Sequence, residues 1–184
     1  TGTQSGVIGI STKTGVWGAS FRRYGYSQYS ENNVAITYSR NLGKYISAGL
    51  QFDYLFYNQN SDYKNYGAFL IETGIIAKPI DNFFIGFHVY NPTRVKLNNY
   101  NNQRVNTIVR LGVGYSFSEI VTATAEVEES INEKGRFKFG IEYNPVKHFY
   151  IRTGVATTPE QFFLGFGYQI KSLVIDIAAA THQS

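Results

Sequence analysis

The chain has 184 residues, enough for one domain with a sizeable core. Its 17 Lys and Arg against 13 Asp and Glu give a net charge of +4; no basic block of five or more occurs, so nothing in the composition points to nucleic acid. There is no cysteine, which excludes disulfides, thiol nucleophiles and cysteine metal sites.

Fifteen Tyr, fourteen Phe and eighteen Gly against only four Pro favour many strands joined by tight turns. In chain order the period-two pattern predicts strands over 4–12, 15–24, 33–41, 45–57, 66–78, 83–91, 104–117, 120–129, 135–144, 148–157, 161–170 and 172–182. These twelve are mostly longer than the ~5–6 residues of a soluble strand and close to the ~9–11 that cross a bilayer. No segment repeats apolar residues at three and four, and no apolar run nears the ~20 residues of a membrane helix. The opening TGTQSG has neither the basic start nor the apolar stretch of a secretory signal. Residues 1–184 read as a single domain with no linker.

The connections alternate in length. KTG, NLGK, KPIDN, FSE, NPVK and IKS are short; GYSQYSEN, NQNSDYKN, PTRVKLNNYNNQ and INEK are longer or more polar, with TTPE the short exception. An up-and-down barrel with turns at one end and loops at the other has this rhythm, and a Greek-key sandwich has no reason to keep it. The loop 92–103 is expected to be disordered, because it is polar and has nothing to bury.

The faces carry the main question. Phe137, Phe139, Ile141 and Tyr143 alternate with Arg136, Lys138, Gly140 and Glu142. A soluble sheet hides the aromatic side and wets the charged one; a membrane barrel turns the oily side outward. The polar face holds mid-strand charges of both signs: Arg22, Asp53, Glu72, His88, Arg110, Glu126, Glu128, Arg136, Lys138, Glu142, Arg152 and Asp176. These are expected to line a narrow lumen and to pair across the ladder, since an unpaired charge there is costly. Glycines on the same face let a small barrel close without crowding. Tyr38, Tyr45, Phe83, Tyr115, Phe117, Tyr143, Phe149 and Tyr168 fall near strand ends, where membrane girdles lie. A soluble antiparallel barrel or sandwich explains the alternation equally well, but not the long strands, the connection rhythm and the terminal aromatics. The fold expected is therefore all-β, an up-and-down antiparallel transmembrane β-barrel of about twelve strands.

Chemistry is sparse. His88, His148 and His182 lack ligand spacing, so neither a metal nor a cofactor is expected. His182-Gln183-Ser184 sets His and Ser on one face, as in an outer-membrane phospholipase, but no orienting third group can be named. A carboxylate pair drawn from Glu126, Glu128 and Glu142 is better read as salt-bridged packing with Arg110, Arg136, Lys138 and Arg152. Gly112-Val113-Gly114 and Gly165-Phe166-Gly167 fall inside strands and are not dinucleotide loops. The chain is expected not to be an enzyme; a lipid hydrolase is the remote alternative.

The runs IVRLGVGYSFSEIVTATAEVEE and RFKFGIEYNPVKHFYIRTGVATTPEQFFLGFGYQIKSLVIDIAAATHQS resemble bacterial outer-membrane barrels of the FadL-like superfamily, and within it the group of PorV-type proteins associated with type IX secretion. The pattern from Gly140 to Gln183 carries the likeness: Gly-Ile-Glu-Tyr, a turn, Tyr-Ile-Arg-Thr-Gly, a turn, Gly-Phe-Gly, then Ile-Asp-Ile-Ala with His-Gln. The resemblance implies a fourteen-stranded barrel with an N-terminal plug in the bacterial outer membrane. The Asn-Pro-Ala segment that starts the plug is missing, and Asn91-Pro92 and Asn144-Pro145 look like strand-end turns instead. A final strand ending in an aromatic is missing too, so the chain is expected to be a fragment lacking one strand at each end, and no plug ligand residue carries over. The function implied is passive transport of small hydrophobic molecules. The alternative is a PorV-like scaffold whose loops 24–32, 57–65 and 91–103 grip a secreted protein or another membrane component. The partner in either case is the lipid bilayer.

Overall fold

Alternation at period two yields twelve strands: β1 (Gly2–Ser11), β2 (Val16–Tyr26), β3 (Tyr29–Asn41), β4 (Ile46–Gln59), β5 (Tyr66–Ile80), β6 (Phe83–Tyr90), β7 (Ile108–Ser118), β8 (Val121–Ser130), β9 (Arg136–Val146), β10 (Phe149–Ala156), β11 (Gln161–Ile170) and β12 (Leu173–Ala180). The structure, a computed structural model, describes residues 2–26, 29–59, 66–97, 104–131, 133–170 and 173–181. The strands form one sheet in the order β1 to β12. Every strand therefore lies beside its neighbour in sequence, as in an antiparallel up-and-down meander. Short turns enforce this. In Leu42–Tyr45, Gly43 takes φ 100°, which a side chain would resist, and the Leu42 amide donates to the Ile46 carbonyl at 2.7 Å.

Two stretches differ from the sequence expectation by more than two residues. β3 starts at Tyr29 rather than 33, and pairing with β2 continues to Tyr26↔Tyr29. The polar run GYSQYSEN is thus mostly ladder, apart from residues 27–28, which lie outside the described residues. Its two tyrosines face each other across this pair, Tyr29 Oη donates to Glu31 Oε1 at 2.5 Å, and Ser30, Asn32 and Asn33 are buried. Conversely, β7 starts at Ile108 rather than 104. Asn91 diverts the chain there. It is fully buried, with φ 50°. Its Nδ2 donates to the Val105 carbonyl at 2.8 Å, its Oδ1 accepts the Val95 amide at 3.1 Å, and its carbonyl accepts the Thr107 hydroxyl at 2.7 Å. The loop 92–103 was expected to be disordered for want of anything to bury. Residues 92–97 are instead ordered around this asparagine, with Lys96 bridged to Arg104; residues 98–103 lie outside the described residues.

The faces are inverted relative to a soluble sheet. On β9, Phe137, Phe139, Ile141 and Tyr143 are 60%, 47%, 39% and 42% exposed, while Arg136, Lys138, Gly140 and Glu142 are half-buried. On β7, Val109, Leu111, Val113, Tyr115 and Phe117 are exposed and Gly114 is buried. On β4, Phe52 and Tyr54 are exposed while Asp53 between them is buried. Among the described residues the buried apolar side chains are Ala35, Leu55, Ala68, Leu70 and Ala156, all in the phase of the polar face. Five residues, three of them alanine, cannot form the core of a soluble domain this size.

The chain divides into two compact units, Thr1–Ile75 with His88–Ile108, and Ile76–Phe87 with Val109–Ser184. In each unit some aromatics of the oily face meet near strand ends, while Phe21, Phe52, Phe139 and Phe166 are exposed in mid-strand. In the first, Trp17 meets Tyr38 with ring centroids 4.7 Å apart, beside the turn where Tyr38 Oη donates to the Thr14 carbonyl at 2.9 Å. In the second, Tyr115 and Phe117 meet edge to face at 4.9 Å, and Phe149 stacks on Phe166 at 6.5 Å.

Candidate functional site

In the second unit the ladders align small residues in a row across the polar face. Thr124 lies opposite Gly140, Gly140 opposite Gly154, and Gly154 opposite Phe163. The Phe84 ring lies on Gly114, where any Cβ would strike it. Missing side chains hollow the wall here, and the two phenyl rings flank the hollow. The result is a trough of about 590 Å³, lined chiefly by apolar groups such as Ile76, Phe84, Gly140, Gly154, Phe163 and Ala178.

Charges border this trough along both strand directions. Towards the connections at 131–135 and 157–160, Arg110 Nε lies 2.6 Å from Glu128 Oε2 and 4.0 Å from Glu126 Oε1. Lys138 Nζ bridges the same two carboxylates at 2.8 and 2.7 Å. Towards the turns at 119–120 and 147–148, Arg152 Nε donates to Glu142 Oε2 at 2.7 Å and its Nη1 donates to Asp176 Oδ1. The Arg152 guanidinium also lies over the Tyr150 ring, 5.2 Å from its centroid. Gly167 makes the last ion pair possible: a Cβ there would meet both Asp176 Oδ1 and Arg152 Nη1. Arg136, expected beside the acidic cluster, sends Nη2 to Gln161 Oε1 instead. The charge-carrying Glu128 opposite it on the ladder is already held by Lys138 and Arg110.

The first unit holds a separate polar chain. Thr37 Oγ1 donates to Gln51 Oε1 at 2.7 Å. Gln51 Nε2 donates to Asp53 Oδ1 at 3.0 Å and to Glu72 Oε1 at 3.2 Å. His88 Nε2 lies 2.9 Å from Glu72 Oε2. Asp53 is 1% exposed, and its Oδ2 has no hydrogen-bond partner among the described residues. Arg22 lies outside this chain; it lines a cleft of about 380 Å³ with Tyr24, Glu31, Asn33, Tyr57 and Tyr90 and takes part in none of the ion pairs found among the described residues.

The polar-face residues singled out from sequence thus fall into three groups. Asp53, Glu72 and His88 meet in the first unit, Arg110, Glu126, Glu128 and Lys138 in the second, and Glu142, Arg152 and Asp176 beside them. Arg22 and Arg136 stand apart from these. Among the described residues no trio of His, Asp and Glu is placed to hold a metal ion. His182, Gln183 and Ser184 lie outside the described residues. Sequence reasoning missed Gln51, Phe84 and the pairing of Arg136 with Gln161. Phe84 had a usable signal: it shares the phase of Gly86 and His88, so an aromatic on the polar face was legible there.

No family model and no curated protein sequence matches the chain. Among solved structures it is similar to the crystal structure of a Pseudomonas aeruginosa FadL homologue, with a TM-score of 0.59 at 14% identity, covering 97% of this chain and 68% of that one. Similarity at such low identity is a likeness of fold, and the chain shares the all-β, up-and-down antiparallel barrel fold of that FadL homologue.

Proposed function

We propose that this chain forms the wall of a bacterial outer-membrane barrel through which small hydrophobic molecules pass passively. The observation that carries the reading is the trough: an apolar hollow of about 590 Å³ on the face that otherwise holds ion pairs, while the exposed face is oily. A channel for ions or sugars needs a wet, polar path; a hydrophobic passenger needs an apolar resting place inside a polar wall. The lipid bilayer is then the partner of the exposed stripe, and the role needs no cofactor and no catalytic group. The fold shared with a FadL homologue supports this reading.

The test is uptake into vesicles whose outer leaflet is lipopolysaccharide, which slows hydrophobic solutes on its own. Vesicles carrying the protein should load a neutral hydrophobic dye faster than protein-free ones. Equal rates across a panel of such dyes would remove the proposal. The PorV-like scaffold reading rests on segments 24–32, 57–65 and 91–103, of which 24–26, 29–32 and 57–59 are strand and 27–28, 60–65 and 98–103 lie outside the described residues. Recovery of a stable protein partner in mild detergent, together with equal dye uptake, would favour it. Hydrolysis is tested by a serine-directed inhibitor, and we expect Ser184 to remain unlabelled.

A further inference from the structure

The charges around the trough bear on what it accepts. This inference rests on the passage role proposed above and names its substrate class. Two cations line the hollow, Lys138 and Arg152, and two carboxylates, Glu126 and Asp176; Arg110, Glu128 and Glu142 pair with them just outside the lining. Each cation is already committed. Lys138 sits within 2.8 Å of two carboxylates, Arg110 within 2.6 Å of one, and Arg152 holds Glu142 at 2.7 Å as well as Asp176. Arg136, like Arg110 outside the lining, gives Nη2 to Gln161.

An arriving carboxylate would therefore add a third negative charge to a lining whose two cations are already matched by Glu126 and Asp176. To gain a cation it would have to displace Glu142 or Asp176 from Arg152, leaving that carboxylate uncompensated against an apolar wall. An uncharged molecule meets neither cost. It would lie on Gly140 and Gly154 between the Phe84 and Phe163 rings, and would leave every ion pair intact. We propose that the trough takes uncharged hydrophobic molecules and rejects carboxylates with the same apolar body, because Glu142 and Asp176 already pair with the Arg152 charge.

The experiment compares two probes with one ring system, 1-naphthalenemethanol and 1-naphthoate, at pH 8 where the second is an anion. Binding to the detergent-solubilised protein is read from naphthalene fluorescence. The alcohol is expected to bind about tenfold or more tightly than the carboxylate, as one uncompensated charge in a partly screened wall implies. In Glu142→Gln/Asp176→Asn, Arg152 is released; carboxylate affinity should rise about tenfold while alcohol affinity stays level. Where the double variant does not show the folded, heat-modifiable band on a gel, Asp176→Asn alone decides, with a smaller gain in the same direction. Carboxylate binding as tight as the alcohol in the parent protein overturns the proposal, and so does an unchanged gap in a folded variant. If neither probe binds, the passage role itself falls, and the selectivity falls with it.

Discussion

An arginine scan along the exposed face of β9 tests the inverted amphipathicity directly. Phe137, Phe139, Ile141 and Tyr143 share this face. At ~3.4 Å per residue, the six steps from Phe137 to Tyr143 cover about 20 Å of strand. A tilt of ~40° reduces that to about 15 Å of depth, within an apolar band ~25 Å tall. With the strand centre near the midplane, Phe139 and Ile141 lie about 3 Å from it and the outer pair about 8 Å. An arginine costs about 2–4 kcal/mol at the midplane and about 0–1 at the interfaces. Phe139→Arg and Ile141→Arg should therefore cost about 2–4 kcal/mol each, and Phe137→Arg and Tyr143→Arg about 1–2. The assay is reversible denaturant unfolding in lipid vesicles, followed through the fluorescence of Trp17, the chain's single tryptophan, with Ile141→Leu as the size control. If these side chains faced water instead, arginine at sites 39–60% exposed would change stability by less than about 0.5 kcal/mol. A flat profile at that level across all four positions refutes the membrane-facing assignment.

Three further outcomes are expected. Lys138→Met leaves Glu126 with only its 4.0 Å contact to Arg110; the groups are about one-third exposed, so after solvent screening the loss is about 1 kcal/mol, and a double-mutant cycle with Glu126→Gln should recover most of it as coupling. Gly114→Val drives a side chain into the Phe84 ring; it should cost about 1–3 kcal/mol by overpacking and weaken 1-naphthalenemethanol binding, measured on the same sample. Asn91→Ala strips the partners of the Val105 carbonyl and the Val95 amide and should cost about 2–3 kcal/mol. Hydrogen exchange at the Val95 amide should accelerate sharply, and Asn91→Gly, which suits φ 50°, should not restore its protection.

Strand positions and facing were legible because period two is a property of one strand at a time. The stripe Phe137, Phe139, Ile141 and Tyr143 announces its own phase, and no partner is needed to read it. The misjudged stretches turn on contacts made at a distance. The ladder over Tyr26↔Tyr29 runs through residues whose polarity suggested a loop, and β7 is held back to Ile108 by an asparagine on the far side of a long connection. The candidate site was half visible. Its charges stood out on the polar face, but which one meets which depends on the register between strands. Arg136 illustrates this: sequence placed it beside carboxylates, while Gln161, two strands along, takes its guanidinium. The trough was not legible for the same reason. Gly140, Gly154 and Phe163 are unremarkable singly, and only the ladder sets them in a row.

The contact between Arg152 and Asp176 differs from the other ion pairs in one respect: it skips a strand, running from β10 to β12 above Gly165 and Gly167 of β11. Arg136 reaches Gln161 in the same way, over Ala156 of β10. A slip of one residue in the strand passed over would lift a bulky neighbour into the gap, Phe166 in one case and Val155 in the other, and the bond would be blocked. These two spans therefore proofread alignment over three strands at once, a check that contacts between adjacent strands alone cannot provide.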